Sequence, residues 1–219
     1  MHLNPCPNYE QLSAEAAALL IQKIKTVIST KGKAIIALPG GRSVAGLLQK
    51  LSPQDLDWST VEIFMIDERV VPIDNKDSNY KQAYDLFLKR VTAKAHPFLI
   101  EKGVEEYNQE FQHAGAHFDI MVLGVGEDGH IAALFPGHPA SKSKGKRYIQ
   151  FDDSPKPPQE RITASPDIIR DADTIILIFS SKGKKKAYDL FVNQKISETK
   201  CPAKIALKAK EVYVFAEFS

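Results

Sequence analysis

The chain has 219 residues, of which 43% are hydrophobic and 26% charged, with a formal net charge of +2. These are the proportions of an ordinary folded globular protein, and so small a charge gives no global attraction to nucleic acid or an anionic membrane. No apolar run approaches the ~18 residues of a membrane span, the first residues lack the basic and apolar regions of a secretory signal, and Cys6 and Cys201 form no metal-spaced pair and read as free thiols of a reducing cytoplasm.

Residues 9–29 predict an amphipathic helix, because Leu12, Ala16, Leu19, Leu20, Ile24 and Val27 recur near the helical period. Asn8 with Gln11 forms a capping pair at its start. Residues 33–38 predict a short buried strand, which runs into Pro39-Gly40-Gly41-Arg42-Ser43 and then a helix over 44–51. A strand, a glycine turn and a helix start make an anion cradle, with free N–H groups and the positive end of the helix dipole. Gly40, Gly41, Arg42 and Ser43 are therefore candidate phosphate ligands, although the Gly-Lys-Ser/Thr of a Walker loop is missing.

Residues 61–66 predict the next strand, ending on Asp67-Glu68-Arg69. Three charges at the end of a buried strand must be paired with one another or functional. Ser78 or Asn79 caps the following helix, which carries Ala83, Leu86 and Phe87 inward. A short strand over 98–100 and a helix near 104–113 come next.

Residues 118–123 are an apolar run broken only by Asp119, and they predict a buried strand. The loop after it holds Gly124, Gly126 and Gly129, then His130, and a short apolar turn stops at Pro136-Gly137. Gly-x-Gly-x-x-Gly is literally a dinucleotide fingerprint, and Asp152 stands at about the distance of its ribose-binding acid. That reading fails, because Pro136, Gly137 and Pro139 leave no room for the helix it needs. Glu127 and Asp128 would also set negative charge where a pyrophosphate belongs. A structural turn carrying a surface His remains open on these residues alone.

Lys142, Lys144, Lys146 and Arg147 mark a basic, mobile surface loop, and without interleaved aromatics they do not read as a nucleic-acid site. Ser154-Pro-Lys-Pro-Pro158 is extended and stiff, and it delivers Glu160-Arg161-Ile162-Thr163. Ser165 caps a short helix to Arg170, residues 174–179 are a β-branched strand, and Ser180–Ala187 opens a helix ending near Val192. One lysine at that helix start is placed to bind an anion. A strand over 211–216 closes the chain. Alternating strands and helices predict an α/β protein with a mostly parallel sheet and helices on both faces. No repeat and no long linker divides it, so residues 1–219 form a single domain.

The motifs now carry a resemblance. Gly124-Val-Gly-Glu-Asp-Gly-His-Ile-Ala-Ala-Leu-Phe-Pro-Gly137 resembles the signature of 6-phosphogluconolactonases, as do Asp67-Glu-Arg-Val-Val-Pro72 with Asp77-Ser-Asn79, and Ser154-Pro-Lys-Pro-Pro-Gln-Glu-Arg-Ile-Thr163. With the Gly-Gly loop they stand in family order. The related glucosamine-6-phosphate deaminases usually carry Asp-Glu-Tyr and Asn-Glu-Pro-Gly, whereas Arg69 and Leu134-Phe135-Pro136-Gly137 favour the lactonase. Three positions depart from the usual pattern: Ile131 for Thr, Arg42 for Ser and Glu217 for Asp.

The resemblance implies a Rossmann-like sheet with a small extra β-sheet. It also implies hydrolysis of 6-phospho-D-glucono-1,5-lactone in the pentose phosphate pathway, without metal or cofactor, by a cytoplasmic monomer or homodimer. His130 is the expected general base, since an imidazole titrates near neutral pH, with Asp128 or Asp67 orienting it. Arg69 and the N–H groups of the 124–129 loop are expected to meet the oxyanion. Gly40, Gly41, Arg42, Ser43, Asn79, Gly126, Arg161 and Lys186 are expected to bind substrate or its phosphate, with Lys186 favoured over Lys184. An amino-sugar-phosphate deaminase and a non-catalytic sugar-phosphate regulator are the competing readings.

Overall fold

The computed structural model describes residues 1–51 and 56–219. Strand β1 (His2–Pro5) leads to helix α1 (Tyr9–Lys31), then β2 (Ala34–Leu38), α2 (Arg42–Leu51), β3 (Val61–Met65) and β4 (Asp67–Arg69). Helix α3 (Asn79–Leu86), β5 (Lys94–His96), α4 (Gly103–His113), β6 (Ile120–Gly124), β7 (Tyr148–Phe151) and β8 (Arg161–Ala164) follow. Helix α5 (Pro166–Asp171), β9 (Thr174–Ser180), α6 (Lys185–Val192) and β10 (Glu211–Glu217) complete the order.

Seven strands form one sheet in the order β1-β10-β9-β6-β2-β3-β5, and every pairing in it is parallel. A second, antiparallel sheet of order β4-β8-β7 stands beside it. Strands buried on both faces read as continuous apolar runs, and β2 and β9 are buried at every position. Alternate residues serve opposite layers. Ile36, Leu38, Ile120, Val122, Ile176 and Ile178 pack with α1, α2 and α3. Ala37, Phe64, Met121, Leu123, Ile175 and Leu177 pack with α4, α5, α6 and the small sheet.

Caps explain several boundaries. The Asn8 side chain accepts from the Gln11 N–H at 2.8 Å, but the Gln11 side chain turns to Glu15, so only half of the expected pair forms. Ser78 caps α3 and Ser165 caps α5. The expected strand over 98–100 does not form. The sheet takes Lys94–His96 instead, which runs beside Glu62–Phe64. The basic loop is not loose either: the Gly145 N–H donates to Asp167 at 2.7 Å, the Ser165 hydroxyl donates to the Gly145 carbonyl at 2.6 Å, and Lys146 pairs with Asp171 at 2.7 Å.

At the N-terminal edge of the sheet, Asp173 pairs with Lys210, with Lys31 at 3.2 Å and with His117 at 3.2 Å. Burial opposes the charge, yet these partners hold its carboxyl down at about 2. A carboxylate depressed in the folded state contributes stability above its unfolded pKa, which is lost as pH falls through the folded one. Between pH 4 and 2 the chain should therefore lose stability that Asp173→Asn does not lose. The difference is on the order of 1–2 kcal/mol after solvent screening. Urea unfolding at pH 6 and pH 3 checks it, and parallel pH curves for the two proteins would refute it.

Candidate active site

Parallel α/β sheets bind ligands beyond the C-terminal ends of their strands, and this one opens there into a cleft of about 860 Å³. Five segments far apart in sequence reach it: residues 39–43, 67–79, 124–135, 156–161 and 180–184, and Tyr9, Glu217 and Ser219 also line it.

The central loop is built to hold one imidazole. The Gly126 N–H donates to the His130 carbonyl at 2.8 Å, and the Gly129 N–H, at φ +85°, donates to the Gly126 carbonyl at 3.0 Å. A Cβ on Gly126 would lie 2.0 Å from both Cε1 and Nδ1 of His130, so the ring occupies the space of the missing side chain. His130 Nδ1 stands 2.5 Å from Asp128 Oδ1. Burial opposes ionisation of Asp128, but the bond and charge of His130, with Lys156 beside them, hold its carboxyl well below the usual range. Asp128 thus partners His130 directly, and Asp67 acts on it only through space.

The loop offers fewer free N–H groups than the sequence suggests. The N–H groups of Val125, Gly126, Gly129 and His130 are all consumed within the fold, the last by Asp128. Gly126 makes room for the ring rather than donating to a ligand.

The 39–43 turn keeps part of its cradle. Gly41, at φ +95°, donates its N–H to the Gln82 side chain at 2.6 Å. Among the described residues, nothing takes the N–H groups of Arg42 and Ser43 at the start of α2. Gly40 packs so closely on Asn79 that a Cβ there would fall 2.0 Å from Oδ1. Asn79 in turn donates to the Asp67 carbonyl at 2.9 Å. It lines the cleft, and its amide also ties the first loop to β4.

The three charges after β3 divide their work. Buried Glu68 accepts from the N–H groups of Arg69, Asn79 and Tyr80, each at 2.7 Å, and from the Ser78 hydroxyl at 3.0 Å. It is a structural anchor at the start of α3. Asp67 and Arg69 line the cleft. Burial pushes the Asp67 carboxyl up, against the pull of Arg69 and Arg161. Arg69 donates from Nη1 to the Asp77 carbonyl at 2.5 Å, while its buried Nε has no hydrogen-bond partner among the described residues. A buried guanidinium N–H without an acceptor is costly unless something else supplies one.

Arg161 reaches the cleft wall but is 4% exposed, and most of its donors are committed. Nε donates to the Pro158 carbonyl at 2.7 Å, and Nη2 donates to the carbonyls of Lys156 at 3.2 Å and Pro157 at 3.1 Å. The expected phosphate ligand is first of all a fastening for the proline segment.

The lysine assignment is corrected. Lys186 is exposed on α6 and is not part of the cleft wall, whereas Lys184 is. A 3₁₀ turn over Lys182–Lys184 precedes the helix and shifts the inward-facing lysine by two residues. Burial lowers the Lys184 ammonium, with Glu127 opposing and Lys156 adding to the effect. The turn starts at Ser181, a non-glycine residue at φ 89°. Glu217 holds Ser181 there, accepting its N–H at the backbone carbonyl (3.1 Å) and at Oε1 (2.6 Å). The sequence alone gives no role to Lys156 or Glu217. The available signals were a cation inside a stiff proline run and an acid ending an otherwise apolar strand.

Known proteins supply the comparison. The family model described as glucosamine-6-phosphate isomerases/6-phosphogluconolactonase matches residues 7–215. A 6-phosphogluconolactonase of Mycobacterium tuberculosis is 34% identical over 201 residues, covering 83% of this chain and 81% of that protein. A probable chloroplastic 6-phosphogluconolactonase of rice is 32% identical, covering 85% of this chain and 64% of its own length, so the chain spans somewhat under two thirds of that relative. The fold is that of the Thermotoga maritima 6-phosphogluconolactonase (TM-score 0.86, 23% identity, 98% of each chain). A monomeric glucosamine-6-phosphate deaminase is also similar, with TM-score 0.82 and 24% identity over 98% of this chain and 96% of that one.

Proposed function

Because the chain belongs to the glucosamine-6-phosphate isomerase/6-phosphogluconolactonase family, we propose that it hydrolyses 6-phospho-D-glucono-1,5-lactone to 6-phosphogluconate. The observation that carries the reading is the His130–Asp128 pair at 2.5 Å inside a cleft walled by Arg42, Arg69 and Lys184. A base and a set of cations in one crevice suit attack of water on a carbonyl held by an anionic tail.

Ionised Asp128 accepts from Nδ1 of His130, which leaves Nε2 as the acceptor. Nε2 takes a proton as water adds to the lactone carbonyl. The negative charge passes to the carbonyl oxygen, where the cationic guanidinium of Arg69, which lines the cleft, is the candidate donor. When the ring C–O bond breaks, the imidazolium returns its proton to the departing oxygen. The balance is one lactone and one water giving one hydroxy acid.

Arg42, Ser43, Lys184 and the glycines at 40 and 41 form the phosphate end of the site in this reading. Asn79 and Arg161 support it from behind. The chain works as a single domain, since both apolar layers pack on one sheet. No helix among the described residues is long and apolar enough to cross a membrane. Two buried free thiols suit a reducing cytoplasm, and the enzyme is a monomer or homodimer.

The test is an assay on fresh lactone, corrected for spontaneous hydrolysis. The phosphorylated lactone should exceed plain gluconolactone in kcat/KM by at least ~10²-fold, because about 1.4 kcal/mol is a factor of ten and a dianion held by several cations contributes more than twice that. Inorganic phosphate should compete. Equal kcat/KM for the two lactones would remove the phosphate site. Ammonia release from glucosamine 6-phosphate, with no lactone turnover, would replace the reaction.

A further inference from the structure

The stiff segment before β8 presents one cation to the catalytic pair, and its mounting is elaborate for a lysine whose side chain is 44% exposed. Lys156 Nζ lies 3.2 Å from Asp128 Oδ2 and 3.4 Å from His130 Nδ1. The backbone beneath it is fastened twice. Arg161 donates to the carbonyls of residues 156, 157 and 158, and the Ser154 hydroxyl donates to the Lys156 carbonyl at 3.0 Å and accepts its N–H at 3.3 Å. A buried arginine given over to three carbonyls holds this lysine at a fixed place by its main chain.

We propose that Lys156 is a positioning residue for the His130–Asp128 pair: it holds the Asp128 carboxylate in the orientation that turns one oxygen to the imidazole and sets the pH range in which that imidazole is free to accept a proton. The proposal rests on His130 being the base. Lys156 holds one carboxylate oxygen of Asp128, which keeps the other turned to Nδ1. An ammonium has no acceptor capacity, so it cannot take the Nδ1 proton, and its contact with the ring is one of charge. A cation beside an imidazole disfavours the imidazolium, whereas Asp128 favours it. Without Lys156, Asp128 would draw a proton onto the ring at a higher pH, and a protonated ring cannot serve as base.

Other charges act on the pair from each neighbouring element. Asp67 of β4 acts on His130, Lys184 from the turn after β9 acts on Asp128 and Lys156, and the Cys201 thiol lies behind the loop near Asp128. Phe135 flanks both groups, with its ring centre 4.8 Å from that of His130 and 5.9 Å from Lys156 Nζ. Of these charged neighbours, Lys156 is the one within 4 Å of both His130 and Asp128.

The test follows kcat/KM against pH for wild type, Lys156→Met, Lys156→Gln and Lys156→Arg. In parallel, NMR follows the ring C–H titration of His130 in the free proteins, assigned by its loss in His130→Asn. In the Met and Gln variants the acid limb and the NMR midpoint should both move to higher pH. On the acidic side the rate should fall about tenfold further than it does on the plateau, the size of one charge contact at this distance in water. Lys156→Arg should keep the wild-type limb. An equal loss at every pH with an unmoved His130 titration would make Lys156 purely structural and overturn the proposal. A rise in KM for the phosphorylated lactone alone would assign Lys156 to the phosphate and overturn it too. Persistence of the acid limb in His130→Asn would instead remove His130 as base, and the NMR midpoint would still decide the role of Lys156.

Discussion

His130→Asn should lower kcat/KM for the phosphorylated lactone by roughly 10²–10⁴-fold, the usual contribution of a positioned acid–base group. The fold should survive, because His130 sits in a loop beyond β6 and the ring is one-fifth exposed. The N–H and carbonyl of residue 130, which bond to Asp128 and Gly126, remain in the variant. Phosphate binding at the far end should be little changed, so the loss falls on kcat rather than KM. Stopped-flow assay on fresh lactone with a thermal melt as control measures both. A folded variant with near-normal kcat would take His130 out of the mechanism.

Gly126→Ala should be nearly as damaging, although it removes no functional group. Its Cβ would stand 2.0 Å from two atoms of the imidazole and 2.7 Å from Asp128 Oδ1. Atoms in contact need about 3.5–4 Å, so the ring must move by roughly 1.5 Å or more and the carboxylate by about 0.8 Å or more. Misplacement of that size costs about 10²-fold in rate. The side chains can swing toward the open cleft, so stability should fall less than activity. Inhibition by inorganic phosphate should persist. A Gly126→Ala protein with wild-type kcat would show that the ring position does not matter to turnover.

The sequence was most informative where function concentrates residues in short runs. The loop after β6, the Asp67–Arg69 segment and the Gly-Gly turn all meet at the cleft as their motifs implied. The long helices and the apolar strands were legible because periodicity reports burial directly. The features that local sequence does not reveal depend on partners distant along the chain. β1 is four mostly exposed residues, and only its pairing to β10 makes it a strand. β5 is short and polar, so the apolar triplet at 98–100 looked the better strand. Lys184 and Lys186 cannot be separated without knowing that a 3₁₀ turn precedes α6. Arg161 reads as a phosphate ligand until the carbonyls of its own proline segment are seen to take its donors.

The all-parallel order of the large sheet also has a bearing on how the cleft comes into being. Neighbouring strands such as β2 and β6, or β1 and β10, are joined only after long excursions of chain. Each such closure surrenders chain entropy before its contacts repay it, which makes parallel topologies slow to form. The cleft draws on residues from Tyr9 at the start of α1 to Ser219 beyond the last strand. No contiguous fragment of the protein contains the whole constellation. The proposed activity is accordingly a property of the finished tertiary structure, expected to emerge late in refolding rather than to grow in step with helix content.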